Sequence, residues 1–252
     1  IFSFLTLSKL RIGHSYLNQN TLQFNFLKNK TIKEDPILHC VEENVKLLEL
    51  FGIDTKDVPI PKLSIYIDEK MKLEGEEYIK DKNRVKVGLH PGSSRFKNHK
   101  YRRWKKENFV KLIRHFKDFD FYVFGSKEEE DEVYYITSNT TNSVPIVDID
   151  ILNVIKIVSN MDLFVSNDSG LMHLANALNV PTIGIFGPTN PVWVRPWNEP
   201  YKVVRLNLDC SPCFVYSPKP LECKIKDKYK CLNELDESLV IDAVKELLQD
   251  VS

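Results

Sequence analysis

The chain has 252 residues, 42% of them hydrophobic and 28% charged. That balance excludes disordered, collagen-like and coiled-coil classes and leaves one large or two small globular domains. Its 35 Lys and Arg offset 35 Asp and Glu, so net charge gives no grip on long nucleic acid, and any basic contact has to be local. No apolar run approaches the roughly 18 to 20 residues that span a bilayer. The first residue is Ile1, and no charged segment followed by an apolar stretch comes after it. No secretory signal is therefore read, and the missing Met points to a piece of a longer chain. Five cysteines are too few for a disulfide scaffold, which suits a reducing, cytoplasmic setting.

The first 60 residues hold an apolar start, Phe2 to Leu10, broken at Arg11-Ile12-Gly13. A helix is expected from Val41 to Phe51, with Val41, Val45 and Leu48 inward at i, i+4 and i+7. The stretch from Pro59 to about Lys82 contains prolines and then charges, and residues 61–84 read as a linker. From residue 85 the pattern changes. A β-branched strand, Val85 to Leu89, ends in the polar turn His90-Pro91-Gly92-Ser93-Ser94. A basic stretch follows, with six Lys or Arg among the ten residues Lys97 to Lys106. Phe109, Leu112, Ile113 and Phe116 then recur with helical spacing. Further strands are expected at Phe119–Phe124, Val144–Val147, Leu163–Ser166, Thr182–Phe186 and Val203–Leu206. Helices are expected at Lys127–Ser138, Ile151–Ser159, Leu171–Leu178 and Leu235–Leu248. This alternation predicts a doubly wound α/β domain over residues 85–252, a parallel sheet covered on both faces. Sheets of this kind bind ligands at the carboxyl ends of their strands. The turns at Gly92, Gly125, Asp168 and Gly187 all lie there, so they should share one rim.

Ser166-Asn167-Asp168-Ser169-Gly170-Leu171-Met172-His173 passes from strand to helix within four residues. The first N–H groups of a helix lack internal partners and carry a positive partial charge, which suits a phosphate. Gly170 lets a ligand approach the backbone, and Asp168 or Ser169 can cap the helix. Taken alone, the stretch also reads as a capped helix in a packed core with a buried histidine. Hydroxyls and N–H groups at Gly92, Ser93 and Ser94 can cradle phosphate, with one or two basic side chains behind them neutralising it. The acids after Gly125-Ser126 can accept from ribose hydroxyls, although an acidic first helical turn explains them equally. Cys210, Cys213, Cys223 and Cys231 cluster within 22 residues. The first pair has zinc-knuckle spacing and the second does not, so loosely paired structural thiols are favoured over a zinc site.

In this order the stretches resemble family 9 glycosyltransferases, of the ADP-heptose:lipopolysaccharide heptosyltransferase type. The matching residues are Val87 to Ser94, Trp104 and Phe109, Phe124-Gly125-Ser126 with its acids, and Leu163 to Ala175. Gly187-Pro188-Thr189-Asn190-Pro191, Cys210-Ser211-Pro212-Cys213 and Cys231-Leu232 follow, with Arg11-Ile12-Gly13 and His39 upstream. The resemblance runs over nearly the whole chain. It implies a GT-B fold of two Rossmann-like domains. Residues 1–60 would be the end of the N-terminal, acceptor domain, and 85–252 the domain that binds the nucleotide-sugar donor. Ser93 and Ser94 would then face the phosphates. Asp168, Ser169, Gly170, Leu171 and His173 would line the donor pyrophosphate and sugar, and Glu129 or a neighbour would meet the ribose.

The family often has Lys two positions before the tryptophan. Here that position is Arg102, which neutralises phosphate with a different fork, and Lys100 is a substitute. The family's catalytic Asp would lie upstream of residue 1, and no residue here matches it. The resemblance further implies inverting transfer from an ADP-sugar without a required metal, to a lipid-linked saccharide of the lipopolysaccharide-core type. Such an enzyme works at the cytoplasmic face of the inner membrane, where the basic stretch gives a local attraction to anionic lipid. Three other readings stand beside this one: another GT-B enzyme such as a sugar-nucleotide epimerase, a non-catalytic nucleotide-binding remnant, and a zinc-stabilised interaction module.

Overall fold

The computed structural model describes residues 2–15, 24–56, 58–94, 96–214 and 220–249. Two compact units are present: Ile1–Pro61 with Val192–Val194, and Lys62–Pro191 with Arg195–Ser252. Among the described residues no helix is long and apolar enough to cross a membrane.

In the small unit, β1 (Ile12–Ser15) pairs in parallel with β2 (Lys30–Lys33). The helix Cys40–Lys46 starts with a capping box: His39 Nδ1 accepts from the Val41 N–H at 3.2 Å, and Glu42 Oε2 accepts from the His39 N–H at 2.8 Å. The inward set differs from the expected Val41, Val45 and Leu48. Leu48 is exposed in a 3-10 segment, Leu47–Phe51, while Glu43 is buried. Glu43 goes inside because it has partners: His14 Nε2 stands 3.1 Å from Oε2, and the Asp35 N–H donates to Oε1 at 2.9 Å. Apolar periodicity does not register such a pair.

The large unit is built on six parallel strands: β3 (Val85–His90), β4 (Phe119–Gly125), β5 (Ser143–Val147), β6 (Leu163–Asn167), β7 (Thr182–Ile185) and β8 (Tyr201–Val204). Their spatial order is β5-β4-β3-β6-β7-β8. The chain winds outward from β3, returns to place β6 beside it, and winds out the other way. This is the Rossmann order, with its reversal between β3 and β6. Successive strand residues serve opposite faces. Val87, Leu89, Phe121, Val123, Leu163 and Val165 face one core with Phe109, Ile113, Val240 and Val244. Tyr122, Phe124 and Phe164 face the other with Ile157 and Val158.

Three expectations shift. β8 lies at 201–204 rather than 203–206, since Tyr201 to Val204 register against Thr182 to Ile185. The expected helix from Lys127 divides into a 3-10 turn, Lys127–Glu129, and the helix Glu130–Ser138, because Glu129 turns back onto Ser126. The stretch read as a linker is folded into the large unit. Its helix Glu69–Glu76 packs against Ile151–Val158, with Lys156 Nζ 2.6 Å from Glu74 Oε2 and Asn160 Nδ2 donating to the Lys72 carbonyl at 2.9 Å. On either side, Leu63 exchanges two hydrogen bonds with Asn198, and the Lys80 N–H donates to the Tyr122 hydroxyl. Charged surface residues hid this packing, because only one edge of the segment is buried.

Candidate donor site at the sheet reversal

The loops leaving β3, β4 and β6 meet at the carboxyl edge of the sheet, where the strand order reverses. A cavity of about 890 Å³ opens there, lined by His90, Ser93, Ser94 and Phe96 from the first loop, Ser126, Glu128 and Glu129 from the second, Ser169, Gly170, Leu171 and Leu174 from the third, and by Ile151. The helix Gly170–Ala177 begins at its wall. A Cβ added to Gly170 would meet no atom within 4 Å, so this glycine leaves space in front of the helix terminus.

Polar side chains lock the three loops together. The Asn167 amide donates to the Pro91 carbonyl at 2.6 Å, while its Oδ1 accepts from the Trp104 N–H at 2.9 Å. Arg103, nearly buried, donates to the Ser93 hydroxyl at 3.2 Å and to the Ser93 carbonyl, and meets Glu129 Oε1 at 3.0 Å and Glu132 at 2.7 Å. Glu129 Oε2 accepts from the Ser126 N–H and hydroxyl, both at 3.1 Å, and faces His90 Nε2 at 3.4 Å. Burial raises the Glu129 carboxyl pKa. The hydrogen bonds and charges of His90, Ser126 and Arg103 outweigh burial and bring it to about 2. A Cβ on Gly92 would come within 2.1 Å of Glu129 Oε1, so the carboxylate occupies room that only glycine leaves there.

The expected site residues fall into two groups. Ser93, Ser94, Glu129, Ser169, Gly170 and Leu171 border the cavity. Of the two serines, Ser94 is exposed, while Ser93 is buried and donates to the His99 carbonyl at 2.9 Å. Asp168 and Arg102 are not among the lining residues but form a buried pair, Nη1 to Oδ2 at 2.6 Å, joining the basic stretch to the β6 turn beside Ser169. His173 stands one turn into the helix, its imidazole pKa lowered by burial against an opposing pull from Asp168. Lys100 is not among the lining residues: it is exposed, with its ammonium 5.3 Å from the Tyr101 ring centroid.

Sequence reasoning missed four contributors. His90 and Asn167 were visible only as parts of motifs, and Arg103 was one of six similar cations. Ile151 opens the expected helix Ile151–Ser159 and is 61% exposed. With Leu171 and Leu174 it contributes the aliphatic part of the cavity lining. A large exposed aliphatic at a strand-edge helix terminus is the signal that could have revealed it.

The four clustered cysteines do gather. Cys210, Cys213, Cys223 and Cys231 line a separate cavity of about 220 Å³ with Pro188 and Tyr229. All are free thiols. Among the described residues no three Cys, His, Asp or Glu side chains are placed to hold a metal ion. Burial, followed by the neighbouring thiols, pushes Cys231 up to about 11.

The geometry can be set beside known proteins. The family model for glycosyltransferase family 9 (heptosyltransferase) matches residues 1–224. The chain is similar to lipooligosaccharide heptosyltransferase 2 of Campylobacter jejuni serotype O:2, with 30% identity over 239 residues, covering 90% of this chain and 68% of that protein. Among solved structures it is similar in fold to E. coli ADP-heptose lps heptosyltransferase II, with a TM-score of 0.73 at 18% identity, over 99% of this chain and 73% of that one. It is also similar to E. coli heptosyltransferase WaaC with ADP, with a TM-score of 0.57 at 18% identity, over 88% and 61% of the two chains. The large unit thus has the Rossmann-like architecture of GT-B-type heptosyltransferases, and the chain belongs to glycosyltransferase family 9.

Proposed function

We propose that the large unit binds ADP-heptose at the β3–β6 rim for transfer of the heptose to a lipid-linked saccharide of the lipopolysaccharide-core type. The observation that carries this reading is the start of the helix Gly170–Ala177 at the wall of an 890 Å³ cavity, with Ser94 exposed beside it. The diphosphate would lie against the first helical N–H groups, with the Arg102–Asp168 pair beside Ser169. The aliphatic lining of Ile151, Leu171 and Leu174 suits the adenine, and Glu128 and Ser126, in the same lining, would serve the ribose. Glu129 would act chiefly by holding the loops in place.

In an inverting transfer the acceptor hydroxyl attacks the anomeric carbon in line, its proton passes to a carboxylate base, and the sugar–phosphate bond breaks to release ADP. Charge growing on the leaving diphosphate is what the helix terminus and the guanidinium would stabilise, so the reading needs no bridging metal. No residue of this chain is assigned as the base. A lipid-linked acceptor places the reaction at the cytoplasmic face of the inner membrane, where exposed lysines such as Lys100 and Lys105 supply a local attraction.

Calorimetric titration with ADP, with UDP and GDP as controls, tests the reading. Selective ADP binding is expected, weakened by Asp168→Ala and by His173→Ala. Equal binding of all three nucleotides, or unchanged ADP affinity in both variants, overturns it.

A further inference from the structure

Ser169 occupies the N-cap of the helix Gly170–Ala177 with extended backbone, φ −153° and ψ 167°, yet its side chain makes no hydrogen bond to that helix. A serine at this position ordinarily turns its oxygen onto the second or third helical N–H, here that of Leu171 or Met172. The hydroxyl is engaged elsewhere: it lies 2.8 Å from His90 Nδ1 and 2.9 Å from Ser166 Oγ. Ser166 donates its own hydrogen to the Asn167 carbonyl at 2.7 Å, so it faces Ser169 as an acceptor. On the other side of the ring, His90 Nε2 faces the Glu129 carboxylate at 3.4 Å. A carboxylate can only accept, so Nε2 carries the ring hydrogen. Glu129, His90 and Ser169 form one chain from the β4 loop through the end of β3 to the β6 turn.

We propose that His90 is a positioning residue: by holding the Ser169 hydroxyl away from its own helix, it keeps the first N–H groups uncapped for the donor diphosphate. The inference rests on the donor-site reading above. It accounts for a cap residue that does not cap, at the one helix terminus where Gly170 leaves open space in front of the backbone. If His90 is removed, the Ser169 hydroxyl keeps Ser166 as its remaining partner outside the helix, and its turn onto the helical N–H groups makes it an internal rival of the phosphate.

The test is a double-mutant cycle on ADP affinity with His90→Ala, Ser169→Ala and the combined variant. His90→Ala should weaken ADP binding about fivefold, the cost of displacing one N-cap bond. In the Ser169→Ala background the same change should cost almost nothing, because no hydroxyl remains to cap. His90→Gln, which keeps a donor for Glu129, should behave like His90→Ala and serves if the alanine variant does not fold. Amide hydrogen exchange without ligand reads the cap itself: Leu171 and Met172 should become more protected in the His90 variants. An equal loss in both backgrounds, or unchanged protection, overturns the proposal and leaves the donor reading standing. Failure of the unmodified chain to bind ADP overturns the donor reading, and the role of His90 with it.

Discussion

Replacing Glu129 with Gln tests how strongly the rim is tied together. The carboxylate accepts from Ser126 twice, faces His90 and meets Arg103. Gln keeps the shape, loses the charge, and replaces one accepting oxygen with an NH2 group that only donates. Its nearest equivalent is the protonated acid, so the pKa shift sets the scale. A fall from 4.5 to about 2 corresponds to about 3 kcal/mol at pH 7, taking 1.36 kcal/mol per unit. Because the folded-state pKa is depressed, this stabilisation is fully present above pH 4.5 and is lost as pH falls through the folded value near 2. The expected loss for Glu129→Gln is therefore about 3 kcal/mol at pH 7, shrinking to about 2 kcal/mol near pH 3.5. Urea unfolding followed at both pH values measures the difference. In thermal melts at pH 7 the same loss should lower the transition by roughly 5–10 °C for a chain of this size. Equal stability of variant and parent at pH 7, or a deficit that does not shrink in acid, would show that the network does not hold Glu129 as described.

Three further outcomes are expected. Arg102→Ala leaves the buried Asp168 without its guanidinium and should cost about 3 kcal/mol of stability along with ADP affinity. Lys100→Ala should change stability by less than about 0.5 kcal/mol, and a loss of ADP binding in Lys100→Ala alone would transfer the phosphate role to Lys100. With iodoacetamide at pH 8 in the native protein, the exposed Cys213 should be alkylated well before Cys231, whose thiol is buried and held near 11. Labelling of Cys231 at the same rate or faster, read by peptide mass spectrometry, would contradict that burial.

Most strands were legible because each is a short apolar run ending in a polar turn, and the helices because their apolar residues recur at helical spacing. Misreadings cluster where a polar contact decides the geometry. Glu43 is buried because His14 meets it, Glu129 breaks a helix start by turning onto Ser126, and the helix at 69–76 packs by its edge. None of these leaves a periodic apolar trace.

The sequence by itself determined the alternation of strand and helix, the turns that end each strand, and the motif that places the chain in its family. Those features depend on residues adjacent in the chain, where backbone preference and side-chain period act directly. Only the tertiary structure decided that β6 lies beside β3, since parallel neighbours are joined by crossovers whose return path local sequence does not specify. From that single adjacency follow the cavity, the Arg102–Asp168 pair across 66 residues, and the chain from Glu129 through His90 to Ser169. Each depends on charged or polar groups from separate loops satisfying one another out of water, which the spacing along the sequence does not reveal.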